Sequence, residues 1–356
     1  MTGAVDRVGA SLNQALHELL AARPRLMLLG EDIADPYGGA FGVTRGLSTR
    51  FPDRVLTTPI SEAAITGLAG GLALAGDEVV IEVMFGDFAT LCFDPLVNFL
   101  AKSVSMYGRP LRVPVVVRCP AGGNRGYGPT HSQSPHKHFI GVPNLSLWEL
   151  SPLHPAGPAL TAMLDAGTPA IFFEDKVLYT QPRFGHEPGD AIFSRTDPGG
   201  SAGWARVSTG ESAGADGSAS TGEAAGAGEP GADWAVIAPG GMVRRVLGAM
   251  RAALVEDEVT CDLLTPARLF PVGLDPVLPL LAGARRILIA EDGVAGGGWA
   301  AAVALEIHQR LWGRLRAPVQ ILQPPCEIIP AAAHLERELL VQESDIQLAL
   351  TGAAGD

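Results

Sequence analysis

Two side chains stand where a charge could do chemistry. Glu62 opens the stretch Ala63–Ala75, in which Thr66 alone carries a hydrogen-bonding side chain. Ser61, directly before it, is a capping residue type expected to accept a bond from a free first-turn N–H, so a helix is read as starting there. A helix this apolar is expected to be buried nearly all round, with Gly and Ala letting neighbouring backbones come close. Burial would raise the pKa of the Glu62 carboxyl, and the helix N-terminus would lower it. On pattern alone, the commoner meaning is a first-turn glutamate that complements the helix dipole. His131 closes the loop Pro120–His131, which holds four glycines and two prolines around Asn124 and Arg125. Such a loop lets backbone approach a ligand or another subunit, although the histidine taken singly fits an ordinary loop residue. Met84 and Phe88 bound an aromatic turn and, by themselves, fit plain core packing. His136 and His138 read as solvated helix residues.

The elements that must position these groups alternate. Strands are expected at Leu26–Leu29, Val55–Thr57, Glu78–Val83, Val113–Arg118, Leu145–Leu150 and Ala170–Glu174. Helices are expected at Ser11–Ala22, Ala63–Ala75, Asp94–Met106 and Pro155–Ala166. This order predicts an α/β fold with a mainly parallel, doubly wound sheet in residues 1–185. Residues 186–232 read as a linker, with a low-complexity insert at 209–232 of Gly, Ala, Ser, Thr, Glu and Asp, expected to be flexible. A second, smaller doubly wound α/β domain is expected over 233–356, with strands at Trp234–Ala238, Val259–Leu264, Arg286–Glu291 and Val319–Leu322.

The 356 residues suit two domains. A hydrophobic share of 47% and a charged share of 18% are those of a globular enzyme. The net charge of −12 argues against nucleic acid or an anionic membrane as partner. Cys92, Cys119, Cys261 and Cys326 form no Cys-x-x-Cys pair and read as reduced, buried thiols with no zinc site. No apolar run reaches the length of a membrane span, and Met1–Arg7 lacks a signal-peptide pattern, so a cytoplasmic protein is expected.

Five stretches in order then carry a resemblance: Gly30-Glu31-Asp32, Gly39-Ala40-Phe41-Gly42-Val43-Thr44-Arg45-Gly46, Thr58-Pro59-Ile60-Ser61-Glu62, His131-Ser132-Gln133-Ser134-Pro135 and Phe172-Phe173-Glu174-Asp175-Lys176-Val177-Leu178-Tyr179. Together with Ala238–Val243 and Glu291-Asp292-Gly293, they make the chain resemble the β subunit of the thiamine-diphosphate-dependent decarboxylase component of 2-oxo acid dehydrogenase complexes. That family joins a transketolase-like pyrimidine-binding domain to a transketolase C-terminal-like domain. The resemblance implies that Glu62 hydrogen-bonds the pyrimidine ring nitrogen and favours the imino tautomer that activates the cofactor. An aspartate would fall a methylene short. It implies that Ile60, Met84 and Phe88 line the same pocket, and that His131 moves protons and assists acyl transfer to a lipoyl group. Ser132 and Ser134 would support the loop.

The sequence has no Gly-Asp-Gly motif for a diphosphate-binding metal; Gly76-Asp77-Glu78 is the nearest. The resemblance therefore implies an α subunit that supplies the diphosphate half of the site and Mg2+, in an α2β2 assembly. A lipoyl-bearing dihydrolipoyl acyltransferase and a small 2-oxo acid are the other implied partners. A structural K+ site built from backbone carbonyls is a further feature the family allows. Val104-Ser105 stand where relatives carry Arg-Tyr, and Thr180 and Leu264 each replace a family arginine. These departures suggest a specialised biosynthetic 2-oxo acid beside pyruvate or branched-chain substrates. Two alternatives remain at this stage: the C-terminal half of a split transketolase-like two-carbon transferase, and a non-catalytic assembly subunit.

Overall fold

The computed structural model describes residues 7–209 and 231–352. The insert read at 209–232 lies, but for its ends, outside the described residues. Among the described residues, thirteen strands form two sheets: β1 Leu26–Gly30, β2 Val55–Thr57, β3 Glu78–Glu82, β4 Val115–Ala121, β5 Ser146–Glu149, β6 Ala170–Asp175, β7 Ser194–Thr196, β8 Trp204–Ser208, β9 Trp234–Ile237, β10 Cys261–Pro266, β11 Arg268–Phe270, β12 Arg286–Ala290 and β13 Gln320–Leu322. The first sheet has the order β11-β5-β6-β4-β3-β1-β2, and the second β13-β12-β9-β10-β8-β7. In the first, every pairing is parallel except β11 with β5.

The central strands read as continuous apolar runs because both faces are covered. Val79, Ile81, Val115, Val117, Ile171 and Phe173 point to one core, and Val80, Val116 and Phe172 to the opposite one, the two-residue alternation of a pleated strand. The Val8–Ala22 and Ala156–Ala166 helices cover the second of these faces. The Glu62–Leu74 helix covers the first. That core runs on into Ile237, Leu264 and Ile289 of the second sheet and Trp299 of the helix Trp299–Leu311 beside it, so the two sheets share apolar packing.

Several expectations need correcting. Ser61 occupies the N-cap position, but its side chain makes no capping bond. The Glu62–Leu74 helix is not buried all round: Ile65, Thr66, Ala69, Gly70 and Ala73 face inward, while Ala63, Ala64, Leu68, Gly71 and Leu74 are exposed. Its glycines divide the same way. A Cβ on Gly70 would run into Phe99 and Leu100, whereas nothing lies near Gly67 or Gly71. The expected helix over Asp94–Met106 is a π-helical turn, Pro95–Leu100, followed by a short α-helical one. β7 and β8 fall inside the stretch read as linker, and β8 pairs antiparallel with β10. Glycines 199, 200 and 203 hide that strand signal in the sequence. β11 went unread because it is three residues long; it lies at the edge of the first sheet although it follows β10 of the second. Cys326 is exposed, unlike the other three thiols.

Candidate active site at the carboxyl edge of the first sheet

Parallel strands deliver their C-terminal ends to one edge, where loops are free to carry function. Glu31 follows β1, Met84–Phe88 follow β3, Gly122–His131 follow β4 and Lys176 follows β6. Glu62 arrives one loop after β2, with Thr58 N–H donating to the Gly30 carbonyl at 2.9 Å to hold that loop beside β1.

A buried ionic network fixes the strand ends. Arg118 of β4, fully buried, donates through Nη1 to Glu82 of β3 and through Nε and Nη2 to Glu174 of β6, each at 2.7 Å. Tyr179 Oη donates to Glu174 at 2.6 Å, and Ala40 N–H donates to Glu82 at 2.6 Å. Three adjacent strands are thus cross-linked by charge, with every carboxylate oxygen satisfied. Gly39 is required here, at φ +71°, because a Cβ would strike the Glu82 carboxylate and Thr44.

Glu62 is 7% exposed, and its carboxylate accepts no hydrogen bond from any described residue. Its neighbour is Glu31, itself buried. Burial raises the Glu31 pKa, the charges of Glu62 and Asp32 push it further, and a bond from the Ser61 backbone opposes them. Cys92 donates to the Glu62 carbonyl at 3.7 Å, and burial lifts that thiol to about 11, with help from both glutamates. Two buried carboxyl groups therefore lie beside one another, Glu62 without a donor among the described residues and Glu31 with its Oε1 buried and unpartnered, a pattern of catalytic more than structural acids.

Cys92 ends the helical turn Gly86–Cys92, and the start of that turn meets His131. The imidazole stands edge-on to Phe85 (centroids 4.5 Å apart) and Phe88 (5.2 Å), while Thr130 Oγ1 lies 2.9 Å from Nδ1. Gly86 lets the turn sit this low, since a Cβ there would lie 3.0 Å from that of Ala121. Asp87 accepts a bond from Gln133 Nε2 at 2.8 Å, and the same amide donates to the Pro129 carbonyl at 3.0 Å. Burial raises the Asp87 pKa against that bond and the Lys176 charge. Lys176, fully buried, donates to the Gly122 carbonyl; burial lowers its ammonium to about 8, opposed by Asp175, Asp87 and Glu336.

The structure thus brings His131 and Phe88 into contact and puts Glu62 at the other end of the Gly86–Cys92 turn. Met84 is half-buried at the start of that loop. Ile60 is 82% exposed. His136 departs from expectation: it is buried against Phe173, with Nε2 3.1 Å from Glu149 Oε2. Sequence reasoning missed Glu31, Phe85, Asp87 and Lys176 as participants, although each lies inside or beside a singled-out stretch. What it lacked was their convergence, set by strand order.

A second polar concentration lies where the domains meet. Around a cavity of about 20 Å3, room for one water molecule, stand His136, Glu149, Asp175, Glu291 and Asp292. Glu149 accepts the Gly241 N–H at 2.6 Å, Glu291 accepts that of Ala300 at 2.9 Å, and Asp292 pairs with Arg245 at 2.9 Å. Burial raises both Asp175 and Glu291 to about 7. For Asp175, Arg245 opposes the shift while Asp292 and Glu149 reinforce it.

Comparison with known proteins follows this division of the chain. Residues 7–182 match the model of the transketolase pyrimidine-binding domain, and residues 222–346 that of the transketolase C-terminal domain. The acetoin:2,6-dichlorophenolindophenol oxidoreductase subunit beta of Cupriavidus necator is 29% identical, covering 92% of this chain and 90% of the relative. The pyruvate dehydrogenase E1 component subunit beta of Rickettsia felis is 29% identical over 95% of both. The corresponding subunit of Leifsonia xyli is 36% identical over 48% of this chain and 50% of its own. A solved structure titled as a split-gene transketolase, inactive beta4 tetramer, superposes with a TM-score of 0.71 at 17% identity over 98% of each chain, a likeness of fold.

Proposed function

Because the chain belongs to the transketolase family through both of its domains, we propose that it is the β subunit of a thiamine-diphosphate-dependent 2-oxo acid dehydrogenase. It decarboxylates a 2-oxo acid together with an α subunit and passes the acyl group to a lipoyl domain. The observation that carries this reading is Glu62, a buried carboxylate with no donor among the described residues, at the same sheet edge as His131.

The residues present fit the pyrimidine half of the cofactor. Glu62 would accept the ring N–H, with Glu31 buried beside it. Phe88 and Met84 would wall the aminopyrimidine. Ile60, exposed here, would be covered by the cofactor. When bound, thiamine diphosphate supplies the nucleophilic carbon and the electron sink. His131, oriented through Nδ1 by Thr130 and held edge-on by two phenylalanines, is free at Nε2 to hold or give a proton at the reacting carbon.

The diphosphate and its Mg2+ are assigned to the α subunit, in an α2β2 assembly. The exposed apolar side of the Glu62–Leu74 helix, with Gly67 and Gly71 open to close approach, supports a subunit contact there. A lipoyl-bearing acyltransferase as acceptor, a structural K+ and cytoplasmic location complete the proposal. Among the described residues, no helix is long and apolar enough to cross a membrane.

The test is calorimetric binding of thiamine diphosphate with magnesium to this chain alone and to its complex with the α subunit. Tight binding by the complex only is expected, and tight binding by the isolated chain refutes the shared-site architecture. A panel of pyruvate, branched-chain 2-oxo acids and acetoin then identifies the substrate.

A further inference from the structure

The loop that carries His131 is held at its two ends by the first domain. At one end, Lys176 donates to the Gly122 carbonyl and Gly122 N–H to that of Gln133. At the other, Gln133 ties Pro129 to Asp87. Between these anchors the backbone is left-handed at Asn124, Gly126 and Gly128, with φ of +63°, +71° and +78°. Such a backbone has little preference of its own for one path, and something outside the loop must hold it.

The second domain supplies that hold. Glu336, in the helix Ala333–Leu339, is fully buried and accepts the Gly126 N–H through Oε2 at 2.6 Å. Gln342 donates to the Asn124 side chain at 3.2 Å. Gly123 sits so close to Leu340 and Glu336 that it has no room for a Cβ, and Gly126 and Gly128 lie over Ala333 and Ala331. Three of the loop's four glycines, Gly123, Gly126 and Gly128, thus lie against the second domain. Glu336 Oε1 remains buried without a partner. A carboxylate kept there despite the desolvation cost makes one strong, charge-assisted bond to a backbone amide. From that amide the path to the histidine is short, because His131 N–H donates to the Gly128 carbonyl at 3.2 Å.

We propose that Glu336 is a positioning residue, through which the second domain fixes the middle of the 122–131 loop and with it the place of His131. Its consequence for turnover rests on the role given to His131 above; the anchoring itself does not.

The experiment is hydrogen–deuterium exchange of the full chain, read on peptides spanning 122–131, for wild type, Glu336→Ala and Glu336→Gln. Losing a charge-assisted bond is expected to speed exchange in the middle of the loop by about 10- to 100-fold in Glu336→Ala, with the strands unchanged. The Gln variant retains an oxygen that can accept the Gly126 N–H, so most of the protection returns. With the α subunit present, kcat of the Ala variant falls on the order of 10-fold or more while KM stays within about 2-fold, as expected when a reacting group is misplaced and substrate contacts survive. The Gln variant rescues kcat. Unchanged loop exchange in the Ala variant, or a Gln variant as loose as Ala, overturns the proposal. If Glu336→Ala does not fold, Glu336→Asp carries the same test, keeping the charge but withdrawing the oxygen from Gly126. Exchange needs neither cofactor nor partner, so a wild-type complex that turns nothing over would sink the functional reading while the anchoring is still decided.

Discussion

Asp175 offers the most direct test of the physics at the domain junction. Its carboxyl is buried beside Asp292 and Glu149, with Arg245 the opposing charge, and titrates at about 7 against 3.8 in an ordinary setting. The folded protein then holds a proton on Asp175 at pH values where the unfolded chain has lost it. Fewer protons bound in the unfolded state mean that stability falls as pH rises, from the unfolded pKa up to about 7, and levels off above. Replacing Asp175 by Asn removes this dependence while preserving an oxygen to accept the Val177 N–H, which lies 3.0 Å from Oδ1. Between pH 5.5 and the folded pKa lie about 1.5 units, and at 1.36 kcal/mol per unit the variant should gain about 2 kcal/mol on wild type over that interval. Glu291 responds to the same neighbours, so the two carboxyls titrate as a coupled system and part of the dependence survives the substitution. The assay is urea unfolding of both proteins at pH 5.5, 7 and 8.5. The variant's advantage over wild type is expected to grow by about 2 kcal/mol between pH 5.5 and pH 8.5. A difference between variant and wild type that is the same at all three pH values would show that Asp175 takes up no proton on folding, and the assignment of a bound proton to it would be wrong.

Glu62→Gln should leave the far-ultraviolet circular dichroism spectrum unchanged and lower turnover of the reconstituted complex by about 100-fold or more, since an amide cannot replace the acid–base function; activity within a few-fold of wild type would remove Glu62 from the mechanism. Arg118→Met leaves Glu82 and Glu174 buried without their shared cation, and chemical denaturation should show a loss of about 3–5 kcal/mol. A loss under about 1 kcal/mol would mean that the carboxyls relax by taking up protons at little cost. Cys326 alone is exposed, so a thiol reagent should titrate a single fast group in the folded chain and all four cysteines only after denaturation.

Six of the first sheet's seven strands were legible because they are short apolar runs between glycine- or proline-rich breaks, and both faces of the sheet are covered. Glu62 was legible because nothing polar follows it for thirteen residues apart from Thr66. His131 needed the motif around it; its spacing alone says little. The sequence could not show that one side of the Glu62–Leu74 helix stays open, since burial of an apolar helix depends on what other chains bring to it. Nor could it show β8 behind its glycines, or β11 crossing to the other domain's sheet, because a three-residue strand is selected by its partner and not by its own pattern.

By itself, then, the sequence determined the α/β class and most of the strand positions, and it singled out Glu62 and His131 as candidates for proton chemistry. Hydrophobic periodicity and turn residues are local properties, written within a few positions of where they act. Only the tertiary structure decided which charges share a site. Glu31 meets Glu62, Arg118 joins Glu82 to Glu174, and Glu336 reaches Gly126 across 210 residues of chain. Those pairings follow from strand order and domain docking, where the low local dielectric makes each partner's placement a matter of whole-fold geometry.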